Sequence, residues 1–296
     1  MRIVSLLPSA TEIVYALGLG EDLVAVTHEC DWPQAARSKP AVSLSALAPA
    51  AEPAEVDRRV SESINGGEPI YRLDIEAMRA LDPEIVLTQD LCAVCAVPSG
   101  HVHEALDVLG CAAEVVSLDP SSLDEVLDCV LQVGRVTGTE ARAAEVVDRL
   151  RARRRAVEAA VAGSTRPRTF ALEWSDPPFN GGHWVPEMIG TAGGEAVLGS
   201  PGTPSIRITW ELVASAAPEV VVFMPCGYGL EETVAEASSV LERPELESVQ
   251  AFFAVDASAY FSRPGPRLID GVEILAAALH PDLVSPAPPG TLRRLR

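Results

Sequence analysis

Short apolar, β-branched runs alternate along this chain with longer segments of helical period. No other feature constrains the fold as strongly. "RIVSLL" at 2–7 leads into "SATEIVYALGL" and then "LVAVT"; further on, "EIVLTQ", "HVHEALDVLG" and "AEVVSL" repeat the rhythm. Strand, helix and strand in succession imply a largely parallel sheet covered on both faces. The rhythm breaks once. Residues 121–136, "SSLDEVLDCVLQVGRV", form one helical pattern, and residues 139–162 carry another for 24 residues. That second helix spans about 35 Å, the width of a domain. After "GSTRP" the alternation resumes with "TFALEW", "VPEMIGTAGG", "ELVASAAPEVVVFMP", "ETVAEASSVLE", "AFFAVD" and "PRLIDGVEILAAALHP". The pattern predicts an α/β chain of two lobes: residues 1–121, connecting helices at 122–163, a second lobe at 164–288, and a tail at 289–296.

Local signals add detail. Ser9 or Thr11 is expected to cap the first helix, with Glu12 completing a capping box, and Gly18 and Gly20 are expected to end it. Residues 46–68 read as a surface loop with a short helix, "SINGGEP" as a turn, and "SPAPPGTLRRLR" as a disordered tail. The arginines of 139–162 read as a solvated helix face.

Charge narrows the function classes. Asp and Glu number 42 against 23 Lys and Arg, a formal net charge of −19. Such a surface repels phosphate backbones and anionic lipid, so neither nucleic acid nor a membrane surface is an expected partner. No apolar run reaches the ~18 residues that span a bilayer. Met1 leads straight into the first expected strand, and no secretory signal is read there. The expected location is therefore cytoplasmic for the chain as given, and periplasmic or extracellular if a leader has been removed.

Ligands of open parallel sheets bind beyond the carboxyl ends of the strands. In this chain those places read "THECDWP", "QDLCAVCAVPSG", "EWSDPPFNGGHWVPEM", "MPCGYG" and "DASAYFSRPGPR". They hold Trp32, Trp174, Trp184, Phe179, Tyr228, Tyr260 and Phe261, although only 5% of the chain is aromatic. Rings gathered at strand ends predict an apolar cleft between the lobes, suited to a large flat ligand.

The cysteines leave alternatives open. Cys111 and Cys129 read as buried thiols. Cys92 and Cys95 have half the spacing of a zinc knuckle, with no second CxxC to complete it. A site from His28, Cys30, Cys92 and Cys95 is chemically feasible, with His101 and His103 near in sequence. A redox dithiol fits less well, because Pro98-Ser99-Gly100 separates the pair from the next helix and its dipole. Glu29, Asp31 and Asp90 are acid–base candidates without a fixed partner. GxSxG, GxxxxGK[ST] and HExxH are all missing from the sequence. The pocket-lining reading of the 89–100 loop ranks first.

Taken in order, these segments resemble the helical-backbone substrate-binding proteins, a family with members for cobalamin, siderophores and haem. "RIVSLLPSATEIVYALGLGEDLVAVT" is similar to the family's opening unit, and "CDWP" resembles its S-D-Y-P turn. "LDIEAMRALDPEIVLT" and "ELVASAAPEVVVF" resemble its later units, and "WSDPPFNGGHWVPEMIGTAGGEAVLG" resembles the P-P-F…G-G-E-N pattern of the cobalamin branch. The resemblance implies two Rossmann-like lobes with parallel sheets, joined by one long backbone α-helix. It implies non-catalytic binding of cobalamin or another corrinoid, no catalytic cofactor, and an ABC permease as partner. Trp32, Tyr71 and Phe179 are the first expected contacts, followed by Trp174, Trp184, Tyr228, Phe261, Cys92, Cys95, Asp31 and Arg263. The chain departs from the cobalamin branch at the two cysteines of the 89–100 loop and at Ser205, which replaces a Trp. The alternatives are another metal chelate (haem or a siderophore), a metal ion on Cys30, Cys92 and Cys95, or an enzyme using Cys92 and Cys95 for corrinoid or thiol handling.

Overall fold

The computed structural model describes residues 1–46, 52–66, 70–90, 100, 102 and 113–296. Cys92, Cys95, His101, His103 and Cys111, and most of the 89–100 loop and of the helical pattern after it, lie outside the described residues. The chain divides into two compact units. Unit 1 comprises Met1–Pro120 and Asp128–Val146; unit 2 comprises Ser121–Leu127 and Val147–Arg296.

Unit 1 is built on six strands: β1 (Ile3–Ser5), β2 (Leu23–Thr27), β3 (Ala41–Ser45), β4 (Tyr71–Leu73), β5 (Ile85–Thr88) and β6 (Glu114–Ser117). Their order is β4-β3-β2-β1-β5-β6. All neighbours are parallel except β3 and β4, so the expected parallel sheet carries an antiparallel edge. The central strands read as unbroken apolar runs because both their faces are covered; every residue of β1 and β5 is buried.

Helix α1 (Pro8–Ala16) begins on a proline, whose missing N–H costs nothing there, and has no side-chain cap. The cap expected at Ser9 or Thr11 does not form. Thr11 turns inward instead, donating to Ser5 Oγ at 2.9 Å and lying 3.0 Å from Cys30 Sγ. The other end of α1 is as expected. Gly18, at φ +81°, lets Leu19 N–H reach the Val14 carbonyl and Gly18 N–H the Tyr15 carbonyl, both at 3.0 Å. Helix α2 (Pro53–Gly66) is longer than the short helix expected there, and it absorbs the start of "SINGGEP". Helix α3 (Ile75–Leu81) is capped by Asp74, which accepts from Ala77 N–H.

Helices α4 (Leu123–Thr137) and α5 (Glu140–Ala160) each contribute to both units. At 21 residues α5 spans about 30 Å. Two of its arginines are not simply solvated. Within unit 2, Arg154 pairs with Asp124, Glu158 and Glu187 at 3.0–3.1 Å, and Arg153 pairs with Asp270 and Glu273.

The second sheet runs β12-β11-β10-β7-β8, with β9 also on β7. Its strands are β7 (Arg168–Ser175), β8 (Pro178–Asn180), β9 (Glu195–Ala196), β10 (Val220–Phe223), β11 (Ala251–Val255) and β12 (Leu292–Arg294). β7, β10 and β11 are parallel neighbours, while β8 and β12 are antiparallel additions. β12 corrects the expected disordered tail. Arg296 locks it further by donating to the Leu246 and Leu241 carbonyls at 2.6 and 2.8 Å. The helices of this unit are α6 (Val185–Thr191), α7 (Trp210–Ala216), α8 (Leu230–Leu241), α9 (Ala257–Tyr260) and α10 (Leu268–Leu279). Phe170, Leu172, Trp210, Phe223 and Phe252 centre one core of the unit. A side chain of that size contributes roughly 1.5–3 kcal/mol when buried.

Candidate functional site

Because β7, β10 and β11 are parallel, their following turns lie along one edge of the second sheet. Backbone bonds tie those turns together. Cys226 N–H donates to the Glu173 carbonyl at 3.3 Å, and Ser258 N–H to the Tyr228 carbonyl at 2.9 Å. Trp174, the last residue but one of β7, pairs with Phe179 of β8, and the turn between the strands holds a cis Asp176–Pro177 bond. Tyr228 reaches the turn through Gly227, at φ +83°, and meets the Trp174 ring edge-on at 5.7 Å. On the other side Arg207 stands 5.8 Å from the Phe179 ring centre. Trp174, Phe179 and Tyr228 are all half-buried.

The neighbouring segment is pinned tightly. A Cβ at Gly182 would fall 2.1 Å from Ser205 N, so only glycine lets the two backbones meet. Asn180 accepts from Ile206 N–H at 2.7 Å, and Ser205 donates to the Asn180 carbonyl at 2.6 Å. His183 follows at φ +51°, and its N–H donates to the Thr203 carbonyl at 2.6 Å. Burial of its ring pushes its pKa below the usual histidine range, favouring the neutral form.

Two of the expected cleft residues turn out to be interior. Trp184 is 6% exposed and Phe261 2%. The Trp184 indole N–H donates to the Phe261 carbonyl at 2.8 Å. Both hold unit 2 together and present no face to solvent. Tyr260 at the end of α9 and Arg263 just beyond it are half-buried, and Arg267 lies 5.6 Å from the Tyr260 ring centre. A groove of about 480 Å³ lies elsewhere in unit 2, lined by Arg153, Val157, Glu273 and Leu283 among others. None of its lining residues belongs to the strand-end turns.

In unit 1 the informative turn follows β2. It carries His28, Glu29, Cys30, Asp31 and Trp32 before a cis Trp32–Pro33 bond. Trp32 is 52% exposed, an unusual position for the largest apolar side chain. The Asp31 carbonyl accepts from Arg37 Nε at 3.1 Å, steadying the turn. Tyr71 is 9% exposed: its ring joins the unit 1 core, and its hydroxyl donates to Glu29 Oε1 at 3.2 Å. Cys30 is buried against Thr11. Among the described residues no three His, Cys, Asp or Glu side chains gather to hold a metal ion. The sequence reading passed over Arg207 and His183. Arg207 has no local signal, since its place beside Phe179 depends on a segment some 28 residues away. The signal for His183 was the glycine pair before it.

Residues 3–252 match the family model described as periplasmic binding protein. The chain belongs to that family. It is 25% identical to the vitamin B12-binding protein of Yersinia pestis (strain Pestoides F) over 224 residues, 75% of this chain and 68% of the relative. Three solved structures share its fold. A periplasmic haem-binding protein of Pseudomonas aeruginosa is 21% identical with a TM-score of 0.72, covering 99% of this chain and 97% of its own. The periplasmic vitamin B12-binding protein of Vibrio cholerae is 22% identical with a TM-score of 0.67, covering 94% and 96%. A possible iron-binding protein of Staphylococcus epidermidis is 22% identical with a TM-score of 0.70, covering 94% and 98%. The family is one of substrate-binding proteins, normally periplasmic, and among the described residues no helix is long and apolar enough to cross a membrane.

Proposed function

We propose that this chain binds cobalamin or a related corrinoid without transforming it, and delivers it to an ABC permease. The observation that carries this reading is the ring group Trp174, Phe179 and Tyr228 on tied turns at one edge of the second sheet. The exposed Trp32 supports it from unit 1. A wide, flat, largely apolar macrocycle suits rings better than it suits a cage of charges. Asp31 and Arg263 are assigned to the amide side chains of a corrinoid. Trp184 and Phe261 leave the list of contacts, and Tyr71 contributes by holding Glu29 through its hydroxyl.

Calorimetry with cyanocobalamin, hemin and a ferric siderophore tests the reading. Cyanocobalamin should bind in preference to the other two. Replacing Phe179 or Trp32 by Ala should weaken it about tenfold each, the ~1.4 kcal/mol of one lost stacking contact. Preference for hemin or the siderophore would replace the corrinoid by that chelate. Unchanged affinity in both variants would discard the site.

A further inference from the structure

His28 stands at the carboxyl end of the buried strand β2, at the start of the turn that carries Trp32. Its ring is anchored from one side. Nδ1 lies 3.0 Å from the Ser43 carbonyl oxygen and 3.3 Å from Thr27 Oγ1. A carbonyl can only accept, so the Nδ1 position carries the proton and Nε2 keeps its lone pair in the neutral ring. Thr27 Oγ1 is itself held by the Ser43 hydroxyl at 2.7 Å, which fixes the floor under the imidazole. Among the described residues Nε2 makes no hydrogen bond, and the side chain is 28% exposed. An imidazole held through Nδ1–H by a backbone carbonyl, with Nε2 open, is the arrangement that metal-ligating histidines adopt.

A metal ion held by protein side chains alone takes three or more donors. A single open imidazole suits a metal that arrives with its equatorial positions already filled by a macrocycle. Glu29 Oε1 lies 4.0 Å from Nε2 and accepts the Tyr71 hydroxyl. Its negative charge favours a cationic metal centre at that spot.

We propose that His28 is an axial ligand, through Nε2, to the metal of a bound corrin or porphyrin chelate. This rests on the reading of the strand-end turns as the binding site. The step is a ligand exchange: the Nε2 lone pair takes the axial position and the metal's water leaves. The metal keeps its oxidation state, and no proton moves. Aquacobalamin and ferric haem have such an exchangeable position; the cyanide of cyanocobalamin blocks it.

Absorption spectra of the full chain with aquacobalamin and with hemin test this, set beside the calorimetric affinity for cyanocobalamin. Aquacobalamin should take on the spectrum it has with free imidazole. His28→Gln should lose that shift and lower the ratio of aquacobalamin to cyanocobalamin affinity at least tenfold. His28→Gly should regain the shift when imidazole is added, which also shows that the variant is folded. If cyanocobalamin binds but the shift is absent, or survives in His28→Gln, the axial assignment is overturned and the corrinoid reading stands. If only hemin binds, with a Soret shift that depends on His28, the corrinoid reading fails and the assignment holds. If no chelate binds, both fall.

Discussion

Replacing Trp184 by Phe separates a structural role from a binding one. The indole is 6% exposed and donates to the Phe261 carbonyl, which belongs to a residue only 2% exposed. Losing the N–H leaves a buried carbonyl without that partner, at a cost of about 1–3 kcal/mol. The smaller ring also leaves a void, which adds on the order of 1 kcal/mol. Together the change should destabilise the protein by roughly 2–4 kcal/mol. For a unit of this size that lowers Tm by about 5–10 °C. Thermal melts by circular dichroism measure the loss, and calorimetry at a temperature where the variant is folded measures chelate affinity, which should change less than threefold. A destabilisation under about 0.5 kcal/mol would refute the assignment of Trp184 to the interior. So would a tenfold loss of affinity at unchanged Tm, which would return the indole to the ligand.

Two further outcomes follow from packing. Gly271 in α10 passes so close to α9 and α6 that a Cβ would sit 2.3 Å from the Tyr260 carbonyl oxygen and 2.7 Å from Met188 Cε. Gly271→Ala should cost about 2 kcal/mol or more in urea unfolding, against the gain in helix propensity expected at an open position; a stabilised variant would contradict the close approach. Deleting residues 291–296 removes β12 and the Arg296 clamp, and should lower Tm by at least ~5 °C. An unchanged melting curve would mean that the tail does not hold the sheet edge.

The alternation of strand and helix, the two units and the long α5 were legible because each is written in local periodicity. The ring-bearing turns were legible because strand ends can be found from the strands alone. What escaped was set by distant neighbours. Trp184 looked like Trp174 in the sequence, but its hydrogen-bond partner lies 77 residues further on. The tail hid a strand behind proline-rich composition, because Leu292–Arg294 extends only by pairing with β11. Ser9 and Thr11 matched a capping pattern, but Pro8 already started the helix and the Thr11 hydroxyl was drawn to Ser5 and Cys30.

The scaffold by itself does not rank ligands. Proteins described as binding vitamin B12, haem or iron share this fold. The residues that build it here, such as Ile3, Val86, Phe170 and Val221, are buried and chemically indifferent to any of those cargoes. Selection must therefore come from the few side chains at strand ends, where packing does not dictate identity. Rings such as Trp174 and Phe179 accept any flat, apolar macrocycle and so set the size and shape of the ligand. They cannot distinguish cobalt from iron, or an open axial position from a blocked one. An imidazole with a fixed tautomer reads the second of these differences, because it binds only a metal with a position to give. If His28 does this, the chain should rank the forms of one macrocycle by axial lability, while the ring itself sets which macrocycle is taken. Comparing two forms of one corrinoid that differ only in the axial group is then more informative than comparing two macrocycles.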